Sequence, residues 1–254
     1  MLNPSNAREL ILYYHRAADL LGSNDRFNLG RPAEAEAYYR KALALAERLA
    51  ATDPNNMTAK TEVARSIGKL GMVLEESNAA ETLRLYQRAR QIVASLPQGA
   101  QRDALQGAIQ DSTIWPLATL GRTAEVRQLV QAEYWEAQLA KKPGDPEALD
   151  NLRDAWEALA YCERRDTRVS IGYYRKALSY ADWAAETQPA SLSRTRIHLE
   201  VLEYMAAELE KAGGAAAEVK ALRQRVVDLW IGLDRLYPGS AYIQRRLRQA
   251  KAGV

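Results

Sequence analysis

A six-residue string that occurs twice constrains this chain more than any other feature. Tyr38-Tyr39-Arg40-Lys41-Ala42-Leu43 returns unchanged as Tyr173-Tyr174-Arg175-Lys176-Ala177-Leu178, 135 residues later. That separation is three times 45. Degraded copies stand between and beyond: Leu85-Tyr86-Gln87-Arg88-Ala89, the segment from Leu129 to Ala132, and the segment around Arg225-Val226-Val227. Self-similarity at a fixed period of this length is the signature of stacked supersecondary units rather than of one globular core.

Other markers keep the same step. Pro54, Pro97, Pro143, Pro189 and Pro238 recur at 43, 46, 46 and 49 residues, each after an apolar-periodic run. The alanine of the repeated string recurs as Ala42, Ala89, Ala132 and Ala177, spaced 47, 43 and 45. Ala-Glu opens the second run of a unit at 33–34, 80–81, 124–125 and 217–218. Leu29-Gly30-Arg31-Pro32-Ala33-Glu34 comes back as Leu120-Gly121-Arg122-Thr123-Ala124-Glu125.

Each unit reads as two helices, because the apolar residues fall three and four apart. The first spans 5–21, with Leu10, Tyr13, Tyr14, Ala17, Ala18 and Leu21 in phase, and Gly22-Ser23-Asn24-Asp25 ends it. The second begins at Arg31-Pro32, where the missing N–H of proline costs nothing, and runs to Asp53. Further pairs follow at 55–76 with 79–96, 101–120 with 123–141, 146–163 with 167–188, and 191–212 with 215–237, and a last helix covers 241–252. Trp115-Pro116 interrupts the helix over 101–120, since an internal proline removes a hydrogen bond and clashes with the preceding turn. The fold class is therefore all-α, one solenoid domain over 1–254 with units at 5–54, 55–97, 98–143, 144–189 and 190–238 and a capping helix at 240–252. Helices that pack with axes roughly 8–10 Å apart need a small residue at the closest approach. Gly71 on a first helix and Ala42, Ala89 and Ala177 on second helices fill that role, and the Tyr three residues before each alanine fills the gap to the following unit.

These residues resemble the tetratricopeptide repeat. Ile67, Leu70, Gly71 and Leu74 match the pattern of its first helix, and Tyr86, Ala89 and Pro97 match that of its second. The resemblance extends over nearly the whole chain, with units of 43–49 residues against roughly 34 in the standard repeat. It looks like the long-helix variety seen in kinesin light chains and in bacterial repeat regions attached to signalling modules. It implies a right-handed superhelix of about five helix pairs, with the first helix of each pair lining a concave surface that binds a protein or peptide without covalent chemistry.

The residues that face away from the expected pair contacts on first helices are the candidates for that surface. They are Arg65, Lys69, Met72 and Glu76 in the second unit, Asp154, Glu157, Tyr161 and Arg165 in the fourth, and Glu200, Glu203 and Ala207 in the fifth. The surface is thus expected to change from basic near Arg65 and Lys69 to acidic near Glu200. Trp115, before the kink at Pro116, is the best single anchor, because a tryptophan in a groove supplies much of an interface's energy. Trp156 and Trp230 sit on apolar stripes and are expected in the core.

Catalysis needs a nucleophile with a base and an orienting group, or a metal. His15 and His198 are the only histidines and lie on the first helices of the first and last pairs. Cys162 is the only cysteine, with no histidine near it, and reads as a structural thiol compatible with a reducing compartment. No metal-ligand spacing and no Gly-rich phosphate loop is present, so neither enzyme activity nor a cofactor is expected. No apolar run approaches the ~20 residues a bilayer requires, and charged residues occupy the N-terminal stretch, so a cytoplasmic location is expected. Residues 219–254 hold eight Lys or Arg and two Asp, which leaves about −3 on the rest of a chain of net charge +3. Arg245, Arg246, Arg248 and Lys251 make nucleic acid or another acidic partner the alternative reading. Self-association through the ends of the array is a third.

Overall fold

The computed structural model describes residues 4–23, 28–75, 77–187, 192–214 and 216–253. Asn24, Asp25, Glu76, Gln188, Pro189, Ser191 and Ala215 therefore lie outside the described residues. The described residues form thirteen helices and no strand: α1 Pro4–Gly22, α2 Pro32–Thr52, α3 Met57–Leu74, α4 Ala79–Ala94, α5 Ala100–Ser112, α6 Ile114–Thr119, α7 Thr123–Val130, α8 Ala132–Lys141, α9 Pro146–Cys162, α10 Thr167–Thr187, α11 Leu192–Lys211, α12 Ala216–Leu236 and α13 Ala241–Ala252. The starts are written in the sequence. Asn56, Asn78, Asp145 and Ser240 each accept a hydrogen bond from a backbone N–H three residues on, satisfying a donor the helix cannot. Asn78 and Glu81 also bond side chain to side chain at 2.8 Å, and Pro32 and Pro146 occupy first-turn positions.

The helices gather into two compact units, Met1–Leu120 and Gly121–Val254. The boundary falls inside the third of the five expected repeats. Within the first unit α1 packs on α2, α2 on α3, α3 on α4, and α4 on α5 and α6. Within the second, α7 and α8 pack on α9, α9 on α10, α10 on α11, α11 on α12 and α12 on α13. Within each unit most helices thus meet the next in chain order, and α7 meets α9.

The cores follow the apolar stripes. Ile67, Leu70 and Leu74 on α3 are buried, as are Leu202, Met205, Ala206 and Leu209 on α11 and Trp156 and Trp230 on their own helices. Each large aliphatic side chain taken from water contributes about 1.5–3 kcal/mol. Small residues set the closest approach: Ala42, Ala89 and Ala177 are fully buried, and a Cβ added to Gly71 would overlap the ring of Tyr86. Tyr86 accordingly fills a gap inside its own pair. Tyr174 reaches onward as expected, its ring stacked on Tyr204 of α11 with centroids 6.3 Å apart.

The third repeat is broken in two places, one of them expected and one not. Pro116 would press its ring on the carbonyl four residues back, that of Ser112, and the helix breaks just after Ser112, leaving α5 and α6 as separate pieces. The expected helix over 123–141 is also two, because Gln131 adopts φ +46 and ψ +44, a left-handed conformation that costs a non-glycine residue about 1–2 kcal/mol. Ala132, the repeat's marker alanine, opens α8 half-exposed and marks no close crossing.

Polar contacts between alternate helices carry the period into three dimensions. On second helices Arg88 of α4 pairs with Glu47 of α2, Arg40 of α2 with Glu81 at the start of α4 (3.0 Å), Arg175 of α10 with Glu218 of α12 (2.9 Å), and Arg225 of α12 with Asp182 of α10. On first helices Arg194 of α11 pairs with Asp150 of α9 (3.0 Å), and Arg246 of α13 with Glu203 of α11 (3.1 Å). Partners stand 41–44 residues apart. Exposed pairs of this kind contribute only about 0–1 kcal/mol each, so their value is in fixing register between repeats.

A candidate binding face on the first helices of the second unit

Helix α9 buries eleven residues, two of them charged. Ala148, Leu149, Leu152, Ala155, Trp156 and Leu159 form the apolar part. Arg153 and Glu157, one turn apart, are buried with them and joined by a 3.0 Å hydrogen bond from Nη1 to Oε2. Arg153 also pairs with the half-exposed Asp154. Two charges taken from water recover their desolvation only in good geometry, so each depends on the other. Burial pushes the Glu157 carboxyl up to about 7, against the opposing pull of Arg153 and with added repulsion from Asp154 and Glu200. Tyr174, on α10, faces the same carboxylate, and its phenol is raised by burial first and Glu157 second.

Helix α11 continues the face. Its Arg196–Glu200 pair, one turn apart, leaves the arginine mostly covered and the carboxylate partly open. Burial raises the Glu200 carboxyl. Arg194 is buried, donating to Ala184 O at 3.0 Å and to Asp150 of α9. Glu203 receives Arg246 of α13. Asp150, Asp154, Glu200 and Glu203 thus present partly open carboxylates over arginines that are more deeply set. Tyr204, partly exposed, adds an aromatic surface.

Seven of the twelve sequence candidates lie in this unit, among them Glu200 and Glu203 of the face and the exposed Ala207 on α11. Asp154 stands at the open edge of the face, and Glu157, placed in the groove by its position on the helix, is buried at 3% exposure. Tyr161 is half-buried with the Arg164 guanidinium 4.5 Å from its ring centroid, and Arg165 is exposed in the turn after α9. The other five belong to the first unit, of which Glu76 lies outside the described residues. Arg65 is exposed and paired with Glu62. Lys69 is held by Asp19 at 2.7 Å, an acceptor it shares with the Tyr39 hydroxyl. Met72 and Trp115 are half-buried on α3 and α6. Arg153, Arg194 and Arg196 were missed. The offset of 44 residues between Asp150 and Arg194, and of 43 between Glu203 and Arg246, would have found part of the set.

Both histidines are buried and tied to neighbouring helices. His15 is buried against Ser66 (Nε2 to Oγ, 3.1 Å), and Ser66 itself has no exposed surface. Burial, then Lys69, lowers His15 to about 4. His198 contacts Asp182 at 2.7 Å and Arg225 at 3.1 Å, tying α10, α11 and α12 together. Cys162 is buried, and burial raises its thiol. Among the described residues no three of His, Cys, Asp and Glu come together as metal ligands, and no helix is long and apolar enough to cross a membrane. No protein-family model matches the chain, and no curated protein matches it.

Proposed function

We propose that the chain is a helical-repeat module of the tetratricopeptide kind, a right-handed solenoid that holds a protein or peptide partner noncovalently. The observation that carries this reading is the line of first helices α9, α11 and α13. They are joined at the repeat spacing by Arg194–Asp150 and Arg246–Glu203, and they present Asp154, Glu200 and Glu203 partly open beside Tyr204. Partly open carboxylates over more deeply set arginines read charge along an extended ligand, and an aromatic surface supplies a pocket wall. The expected ligand is a segment with spaced Lys or Arg and at least one apolar anchor.

A displayed library of random peptides selected on the native chain tests this. Binders should be enriched in Lys and Arg, and Asp154→Asn with Glu200→Gln, which leave each arginine an acceptor, should weaken them by about tenfold or more in a chain that still melts cooperatively. Binders unaffected by that pair of changes would contradict the assignment. A second reading has its own observation. Arg245, Arg248 and Lys251 recur every three residues on α13 and are exposed. Binding of a duplex oligonucleotide that falls steeply with salt would favour it.

A further inference from the structure

The first unit holds a notch unrelated to the face just described. It has a volume of about 160 Å³ and lies where α2, α3 and α4 converge, lined by Glu47, Ala50, Lys60, Val63, Arg88 and Ile92. Ala50, Val63 and Ile92 belong to, or pack on, the first unit's core, so the floor of the notch is apolar. Its rim is charged. Arg88 and Glu47 pair across it and neutralise one another. Lys60 is half-buried at the same rim, and among the described residues it has no ion-pair partner. The lining therefore has an apolar floor, one satisfied ion pair and one uncompensated ammonium.

We propose that this notch is a binding site for a small organic carboxylate with an aromatic or branched aliphatic body. Size and charge argue for it separately. An apolar cavity of roughly 150 Å³ accommodates a benzene ring, so a body of that size fills this one. A carboxylate on a one-carbon arm then reaches the rim, where Lys60 supplies the charge-assisted hydrogen bond. Arg88 stands on the facing helix to share the anion. A cationic ligand would meet Lys60 and Arg88 with only Glu47 to offset them. A neutral one would leave the Lys60 ammonium to water and forgo the charge-assisted hydrogen bond.

Phenylacetate is the probe, titrated into the uniformly ¹⁵N-labelled full chain and followed by amide shifts. Saturable shifts are expected at residues 47–51, 59–64 and 88–93. The neutral isostere phenylacetamide should bind about tenfold more weakly, as should phenylacetate to Lys60→Met, the loss expected for one charge-assisted hydrogen bond. Ala50→Phe, which fills the notch from within, should abolish the shifts in a chain whose spectrum stays dispersed. Lys60 lies at the surface, so its variant keeps the test decisive should Ala50→Phe fail to fold. Shifts that do not saturate, equal affinity for acid and amide, or binding that survives a folded Ala50→Phe would each overturn the proposal. The notch involves no residue of the α9–α11–α13 face, so its failure leaves the peptide-binding reading standing, and the reverse holds.

Discussion

The two units bury their ionisable side chains in opposite ways. In the first, His15 is set against Ser66 with Lys69 nearby, and burial plus the like charge keep it neutral. In the second, Arg153 and Glu157 are buried as a pair, one permanently charged and the other forced to compromise. A buried neutral group that has one hydrogen bond makes a modest demand on its surroundings. A buried charged pair makes its surroundings depend on both partners at once. The first unit should therefore tolerate loss of a polar partner that the second does not.

The largest expected effect breaks the pair. Glu157→Leu leaves the buried Arg153 charge with only the half-exposed Asp154 as counter-ion and should cost about 3 kcal/mol, whereas Arg153→Met with Glu157→Leu should be neutral or stabilising. Ser66→Ala, the corresponding change in the first unit, should cost only about 1 kcal/mol. Denaturant melts of the three variants measure this. A single and a double change of equal cost would remove the distinction between the units.

The next effect is on pH. The folded Glu157 holds its proton up to about 7, against 4.5 for the ordinary group. The folded state then binds more protons than the unfolded one across that window, and stability falls as pH rises through it. For His15 the signs reverse. Its folded value near 4 lies below the ordinary 6.5, so the unfolded state takes the proton first and stability is lost as pH falls from 6.5 towards 4. Each contribution is at most about 3 kcal/mol. Native-state hydrogen exchange should show amides of α3 gaining protection and amides of α9 losing it between pH 4.5 and pH 6.5, the range both windows share. Glu157→Gln should flatten the second trend alone.

A smaller pair of effects compares a regular repeat with the broken one. Gly71→Ala drives a methyl into Tyr86 and should cost about 1–3 kcal/mol. Gly107→Ala, on α5 with open space around it, should stabilise by about 0.5–1 kcal/mol through helix propensity alone.

Much of this architecture was legible because the chain punctuates itself. Prolines and the apolar stripe placed most helix ends within a few residues, and Pro116 announced its own break. The break at Gln131 was not legible. Residues 123–141 are almost entirely good helix formers without Gly or Pro, so only tertiary packing distinguishes two helices from one there. The fate of Glu157 was hidden for a related reason. Opposite charges four apart on a helix ordinarily mark a solvated face, and nothing local shows that α10 and α11 cover this one. The pairs at 41–44 residues were legible in principle, but only after the repeat length had been used as a ruler between charges.

The reading as a whole rests on first helices meeting a ligand along their shared face. Hydrogen exchange of the chain with and without a selected peptide tests that most directly. Added protection should fall on α9, α11 and α13 and leave the outward amides of α10 and α12 unchanged. Protection confined to α10 and α12, or none anywhere at saturating peptide, would contradict it.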